Sequence, residues 1–180
     1  MISLPQQKYN LNFRFVVEED AEFILSLRND IKLSKFISPT SSSISDQVNW
    51  IKEYKKKENN NTEFYIICLS KDGKTRLGLN RLYNITDNSF EIGSWLFKKS
   101  SNNNASVLAD LFCRSLLFDI EKFERCVFEV RKKNKSVVRY HKMFKPTLID
   151  EDALNYYYEL TRQKFGETKN KLIKLIQNDK

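Results

Sequence analysis

The spacing of apolar and polar residues changes several times along the chain, and each change predicts an element. Leu11 to Val17 alternates as a half-buried strand does, and Glu18-Glu19-Asp20 then sets acid where the positive end of the next helix dipole lies. Ala21 to Asn29 is expected to be that helix. Ser38 to Ser45, with Pro39 and a run of serines, predicts a loop. Ser45-Asp46 starts a second helix through Gln47, Trp50, Ile51 and Tyr54, which the polar stretch Lys56 to Asn61 ends. Three strand-like segments follow, Glu63 to Leu69, Arg76 to Ile85 and Phe90 to Phe97, joined by turns at Lys71-Asp72-Gly73-Lys74 and Thr86-Asp87-Asn88. Together they predict an antiparallel meander.

The period then lengthens. Asn103 to Ile120 places Val107, Leu108, Leu111, Phe112, Ser115 and Leu116 at helical spacing, and Cys126 to Arg131 follows as a short apolar strand. A strand, a helix and another strand in succession imply a right-handed crossover, hence one parallel pair in an otherwise antiparallel sheet. A helix from about Asn134 to Phe144 turns Val137, Val138, His141 and Phe144 to one face, and Pro146 stops it. Thr147 to Ile149 and Leu154 to Thr161 are expected to be the last strands, and Gln163 to Ile176 the last helix, with no internal repeat and no linker.

Composition narrows what such an order can be. A chain of 180 residues suits a single domain spanning 1–180, and 41% hydrophobic with 30% charged residues excludes a disordered chain. No apolar run reaches the roughly 20 residues that span a bilayer, and Met1 to Asn10 is too polar for a secretory leader, so a cytoplasmic protein without membrane contact is expected. Cys68, Cys113 and Cys126 lie in apolar segments without zinc-ligand spacing, which predicts reduced core residues and no metal site. The net charge of +8 comes from lysines scattered over exposed helix faces. Without aromatics interleaved on a basic face, it does not point to nucleic acid.

Four local sequences go further. Phe90-Glu91-Ile92-Gly93-Ser94-Trp95-Leu96, then Phe128-Glu129-Val130-Arg131 followed by Asn134, Val137, Val138 and His141, together with Arg28-Asn29-Asp30 and Asn49-Trp50-Ile51, resemble the GNAT N-acetyltransferase family. The likeness is to the branch of ribosomal-protein N-acetyltransferases and bacterial nucleotide-sugar N-acetyltransferases, and it covers almost the whole chain. The resemblance implies an α/β (α+β) fold: a mixed, mostly antiparallel twisted sheet of about seven strands flanked by helices, splayed between the fourth and fifth strands. It also implies acetyl-CoA as donor and a primary amine as acceptor. A nucleotide-linked amino sugar of surface polysaccharide synthesis is the acceptor this likeness favours, ahead of a protein N-terminus or a polyamine. A homodimer is left open.

In that family the pantetheine arm pairs with the fourth strand, here Ser94, Trp95, Leu96 and Phe97. The pyrophosphate sits over the start of the next helix, which implicates Asn102, Asn103, Asn104, Ala105 and Ser106, with Asn134 nearby. This chain departs from the family's glycine-rich turn: the segment Lys98 to Ser106 has no glycine, and asparagine must supply any left-handed backbone. That departure, with Lys145 where the family often has glycine, keeps a non-catalytic CoA-binding module in view.

The resemblance implies direct attack of the amine on the thioester, with main-chain donors near Ser94 for the oxyanion. The family's acid is a tyrosine seven residues beyond an asparagine; counting from Asn134, this chain has His141 there. An imidazole titrating near neutrality suits acid or base work, and a packed histidine is the alternative. Tyr140, about 100° away on a helix, is the weaker candidate. Glu91 is the candidate base, or else a strand glutamate paired with lysine. Arg28, Asn29, Asn80 and Arg81 are candidates for holding the acceptor, arginine being suited to phosphate. A structural ion pair for Arg28, a helix cap for Asn134, and core positions for Trp50 and Trp95 are the competing readings.

Overall fold

The computed structural model describes residues 2–99 and 104–178. Eight strands form one sheet in the order β1-β2-β3-β4-β5-β6-β8-β7. The strands are β1 Gln6–Lys8, β2 Leu11–Phe15, β3 Phe64–Leu69, β4 Arg76–Tyr83, β5 Ser89–Phe97, β6 Arg125–Arg131, β7 Thr147–Glu151 and β8 Asn155–Thr161. The helices are α1 Ala21–Arg28, α2 Ile31–Ser34, α3 Ile44–Asn59, α4 Ala105–Ser115, α5 Lys135–Lys142 and α6 Arg162–Asn178. Neighbouring strands run antiparallel except β5 and β6, the parallel pair that the crossover demanded.

The extra strand is β1. It joins β2 through Tyr9 and Asn10, both at positive φ (55° and 59°), a two-residue turn whose twist matches that of a hairpin. Its residues Gln6, Gln7 and Lys8 are polar and show no alternation, which hid it. One helix start and one helix end also differ from expectation. The polar loop before α3 ends sooner than predicted, because Ser43, not Ser45, caps the helix by accepting from the Asp46 amide. The predicted long helix after β5 is α-helical only to Ser115, and its last turn widens over Leu116–Ile120.

Helices cover both sheet faces, so all six residues of β3 are buried. On one face α1 and α3 bring Ile24, Leu27, Ile51 and Tyr54 against Tyr65, Ile67, Leu79 and Leu96. On the other, α4, α5 and α6 bring Leu111, Phe112, Val138 and Phe165 against Phe13, Phe90 and Phe128. The Phe13 and Phe112 rings stack at 3.9 Å. Truncating such a ring to alanine costs about 3–5 kcal/mol. Among the described residues no helix is long and apolar enough to cross a membrane.

The sheet opens at its parallel pair. β5 and β6 are in register only at Ser89↔Arg125, Phe90↔Cys126 and Glu91↔Val127. Beyond these, β5 pairs with β4 alone as far as Phe97, and β6 with β8 alone as far as Arg131. A bulge accompanies the divergence: Leu79 opposes Leu96 and Arg81 opposes Gly93, so Asn80 faces both Ser94 and Trp95. Ser94 takes the left-handed φ of 48°. Bulges bend and twist a strand locally, which turns the end of β5 away from β6.

Candidate active site

The wedge between β5 and β6 encloses a cavity of about 340 Å3 bordered by Gly93, Ser94 and Trp95 on one strand and Phe128 and Glu129 on the other. Strand alternation divides its walls. Cys126, Phe128 and Val130 join the core under α4 and α5, so Glu129 falls on the opposite face, toward α1 and α3.

Under α4 and α5 lies a buried polar network. Asp110 and Arg114 sit one turn apart on α4, and Arg114 Nε donates to Asp110 Oδ2 at 2.9 Å. The Tyr140 hydroxyl donates to the same oxygen at 2.7 Å. Arg114 Nη1 donates to Cys126 Sγ at 3.1 Å, and Nη2 lies 3.4 Å from His141 Nδ1. The guanidinium, itself fully buried, also stacks 4.7 Å over Phe128. Burial first, then the Arg114 charge, hold the His141 imidazole down at about 3 despite Asp110. This runs against the expectation of a ring that titrates near neutrality: burial and the Arg114 charge both favour the neutral imidazole.

On the α1 and α3 side a second cavity, of about 240 Å3, meets the first, since Arg28, Arg81 and Ser94 border both. Trp50 and Tyr65 also line it. Arg81 Nε donates to the buried Glu63 at 2.6 Å, and its guanidinium lies between the Trp50 ring (5.3 Å) and the Tyr83 ring (4.9 Å). Arg28 Nη2 donates to the Ser38 carbonyl at 3.1 Å. Burial pushes the Tyr65 hydroxyl up to about 12, against the pull of Arg28 and Arg81.

The acetyltransferase (GNAT) domain profile matches residues 10–144. The chain belongs to the GNAT acetyltransferase family. It is an N-acetyltransferase, and acetyl-CoA is the donor that this family uses. Among solved structures, the chain is similar to "Apo FdhC- a nucleotide-linked sugar GNAT", at 34% identity and TM-score 0.85 over 96% of this chain and 98% of that one. It is also similar to ribosomal-protein-S5-alanine acetyltransferase from Vibrio fischeri, at 12% identity and TM-score 0.75 over 89% and 97% of the two chains. A spermidine N-acetyltransferase SpeG mutant from Vibrio cholerae gives 15% identity and TM-score 0.69 over 87% and 98%. The last two show the fold alone. No match is found among curated proteins.

Against this GNAT frame the expected site residues divide. Ser94, Trp95, Leu96, Asn134 and His141 border the wedge cavity. Phe97 does not: it continues β5 opposite Gly78, where a Cβ would come within 2.3 Å of its ring. Asn102 and Asn103 lie outside the described residues. Asn104 precedes α4, and Ala105 and Ser106 open it, with the Ser106 carbonyl accepting from Trp95 Nε1 at 2.9 Å. Asn134 is also a cap, its side chain accepting from the Val137 amide.

Arg28 and Arg81 stand on cavity walls, whereas Asn29 is exposed at the end of α1 and borders neither cavity. Asn80 is 1% exposed on the α4 face of β4, opposite in alternation to Arg81, and lines neither cavity. Glu91 lies in the last register where the strands are still paired, beside Tyr83 rather than on the cavity wall. Trp50, at 38% exposed, is not a core residue, and it stacks on Tyr54. Lys145 holds the left-handed φ of 52° where the family often has glycine, so the backbone form persists without the glycine.

Asp110, Arg114 and Glu129 were missed from the sequence. Two opposite charges at helical i, i+4 spacing inside an apolar run were the available signal for the first two. The three cysteines are buried, and burial pushes the Cys68 and Cys126 thiols up to about 12, which removes them as nucleophiles.

Proposed function

We propose that this acetyltransferase acylates the primary amine of a nucleotide-linked amino sugar, with the amine entering from the α1 and α3 side and the thioester held in the wedge. The reading is carried by the meeting of the two cavities at Ser94, where β5 leaves β6. The bulge sets two residues, Ser94 and Trp95, against one. The ladder thus leaves main-chain N–H capacity for a developing oxyanion and for pantetheine amides. The first N–H groups of α4, at Ala105 and Ser106, have no partner within their helix and suit a diphosphate.

For the acceptor, Arg28 and Arg81 offer two guanidiniums to a nucleotide diphosphate, and Trp50 offers a ring face. Glu91 and Glu129 both lie near the Tyr83 hydroxyl at the wedge mouth, and their charges help burial push it up. We assign the amine proton to this carboxylate pair, with Glu129 the nearer member because it borders the cavity. The resemblance to FdhC supports the sugar; surface polysaccharide synthesis and a cytoplasmic location complete the reading.

A thiol-release assay over a panel of nucleotide-linked amino sugars, spermidine and an N-terminal alanine peptide tests it. Release with at least one of the sugars and with neither of the other amines is expected. Release with spermidine or peptide alone overturns the acceptor assignment, and calorimetry showing no CoA binding at millimolar ligand overturns the wedge.

A further inference from the structure

The Arg114 guanidinium carries only donors and no acceptor. Since Nη2 lies 3.4 Å from His141 Nδ1, the ring must turn a lone pair toward it, and the ring proton must sit on Nε2. Arg114 cannot give way, because it is fully buried, stays charged, and is bonded through Nε to Asp110. We propose that His141 serves in the wedge as a neutral hydrogen-bond donor through Nε2–H, and that Arg114 is the positioning residue that fixes this tautomer. The proposal rests on the acetyltransferase reading of the wedge.

The surroundings of the ring exclude the alternative of a proton-transferring imidazolium. From α4 it faces Arg114 and, beyond it, Asp110; from β6 the Phe128 ring at 4.5 Å; from β5 the Trp95 ring at 5.9 Å; from its own helix the Tyr140 ring at 5.1 Å. Glu129 and Arg131 share the cavity wall with it. Of these groups, Asp110 is the carboxylate inside the network, and its Oδ2 already accepts from Arg114 and Tyr140. A protonated His141 would be a second buried cation against one anion, a costly state in a low-dielectric site.

A neutral imidazole is a far weaker acid than a thiol, so it does not hand its proton to a departing thiolate. It donates a hydrogen bond to the sulfur as negative charge gathers there, a fixed dipole aimed at developing charge. The balance is then simple. The amine nitrogen bonds to the acetyl carbon, the carbon–sulfur bond breaks, the amine proton leaves toward Glu129 and Glu91, and the thiolate takes its proton from solvent.

His141 is the chain's single histidine, which makes the test direct. In protein without a polyhistidine tag, labelled with 15N-histidine, two-bond proton–nitrogen correlations report which ring nitrogen carries the proton. We expect the Nε2–H pattern, unchanged from about pH 5 to about pH 9, a range that brackets an ordinary histidine. A proton on Nδ1, or a titration midpoint between about 5.5 and 8, overturns the proposal.

Two variants add a functional readout. His141→Gln retains an N–H near the Nε2 position and should keep kcat within about tenfold, while His141→Phe should lose about a hundredfold or more, with the KM for acetyl-CoA unchanged in both. Equal loss in the two variants overturns the donor role. Arg114→Met should free the ring to titrate and add an acidic limb to the kcat profile near about 6.5. If that variant does not fold, the spectrum of the unaltered protein still decides. Thiol release from a protein whose ring titrates ends this proposal alone. The expected spectrum without thiol release for any acceptor ends the functional reading instead.

Discussion

On the α4 and α5 side of the wedge, charged groups are buried and mutually bonded, Asp110 holding both the Arg114 guanidinium and the Tyr140 hydroxyl. On the α1 and α3 side Tyr65 is a buried floor, but the outer wall of the cavity is half-buried or exposed: Arg28 anchors to a loop carbonyl, Trp50 is 38% exposed, and Asp46 is at the surface. The two sides divide the labour. A network with fixed partners can present one donor in one orientation, whatever the acceptor. Walls with few internal bonds can exchange side chains at little cost to the fold, which is where acceptor choice is free to change.

Removing one charge from each side should separate the two most strongly. Asp110→Ala strands the Arg114 cation in an apolar site and should cost about 3–5 kcal/mol in urea unfolding, whereas Asp46→Ala should cost less than about 0.5 kcal/mol. Similar losses from the two would erase the distinction. Next in size, Arg28→Ala should lower kcat/KM for a diphosphate-bearing acceptor by about 1.5–3 kcal/mol, the worth of a charge-assisted contact, with acetyl-CoA binding unaltered. An equal effect on both substrates would move Arg28 into a structural role.

Smaller again is the carboxylate pair. Glu129→Gln should lower kcat by about tenfold and Glu91→Gln by less than about threefold, since the latter sits where the strands are zipped. The reverse order would return Glu91 to the leading place.

A further contrast is a pH slope in stability. His141 has its folded pKa depressed to about 3 by burial and by Arg114. Its contribution to stability is therefore complete above the unfolded value of about 6.5 and is lost as pH falls through the window toward the folded one. The loss is about 1.4 kcal/mol per pH unit. Comparing unfolding of the protein and His141→Phe between about pH 7 and about pH 5 isolates this slope. A slope identical in the two chains would show that the ring is not held neutral.

Most of the element order was legible because each element has its own period: alternation in β2, helical spacing in α5, a solid apolar run in β3. The wedge was legible from the β5 and β6 motifs taken together. What escaped depends on three-dimensional partners. β1 is held by a turn geometry at Tyr9 and Asn10, not by a pattern. Glu91 and Glu129 look alike as strand carboxylates, and only the register, which closes at Glu91↔Val127, tells which borders the cavity. The helical spacing of His141 put it on the inward face, but nothing local reveals that the residue it meets there is Arg114. Tyr65 lies in a wholly buried strand, where sequence gives no hint of a wall.

The Trp95 indole reaches beyond its own strand. Its nitrogen donates to the Ser106 carbonyl at the start of α4, while its ring lies 5.0 Å from Tyr140 and 5.9 Å from His141 on α5. One flat, stiff side chain thus couples the bent strand to two helices that are far apart in sequence. The start of α4 and the inward face of α5 are therefore tied to the same bent stretch of β5 through a single ring.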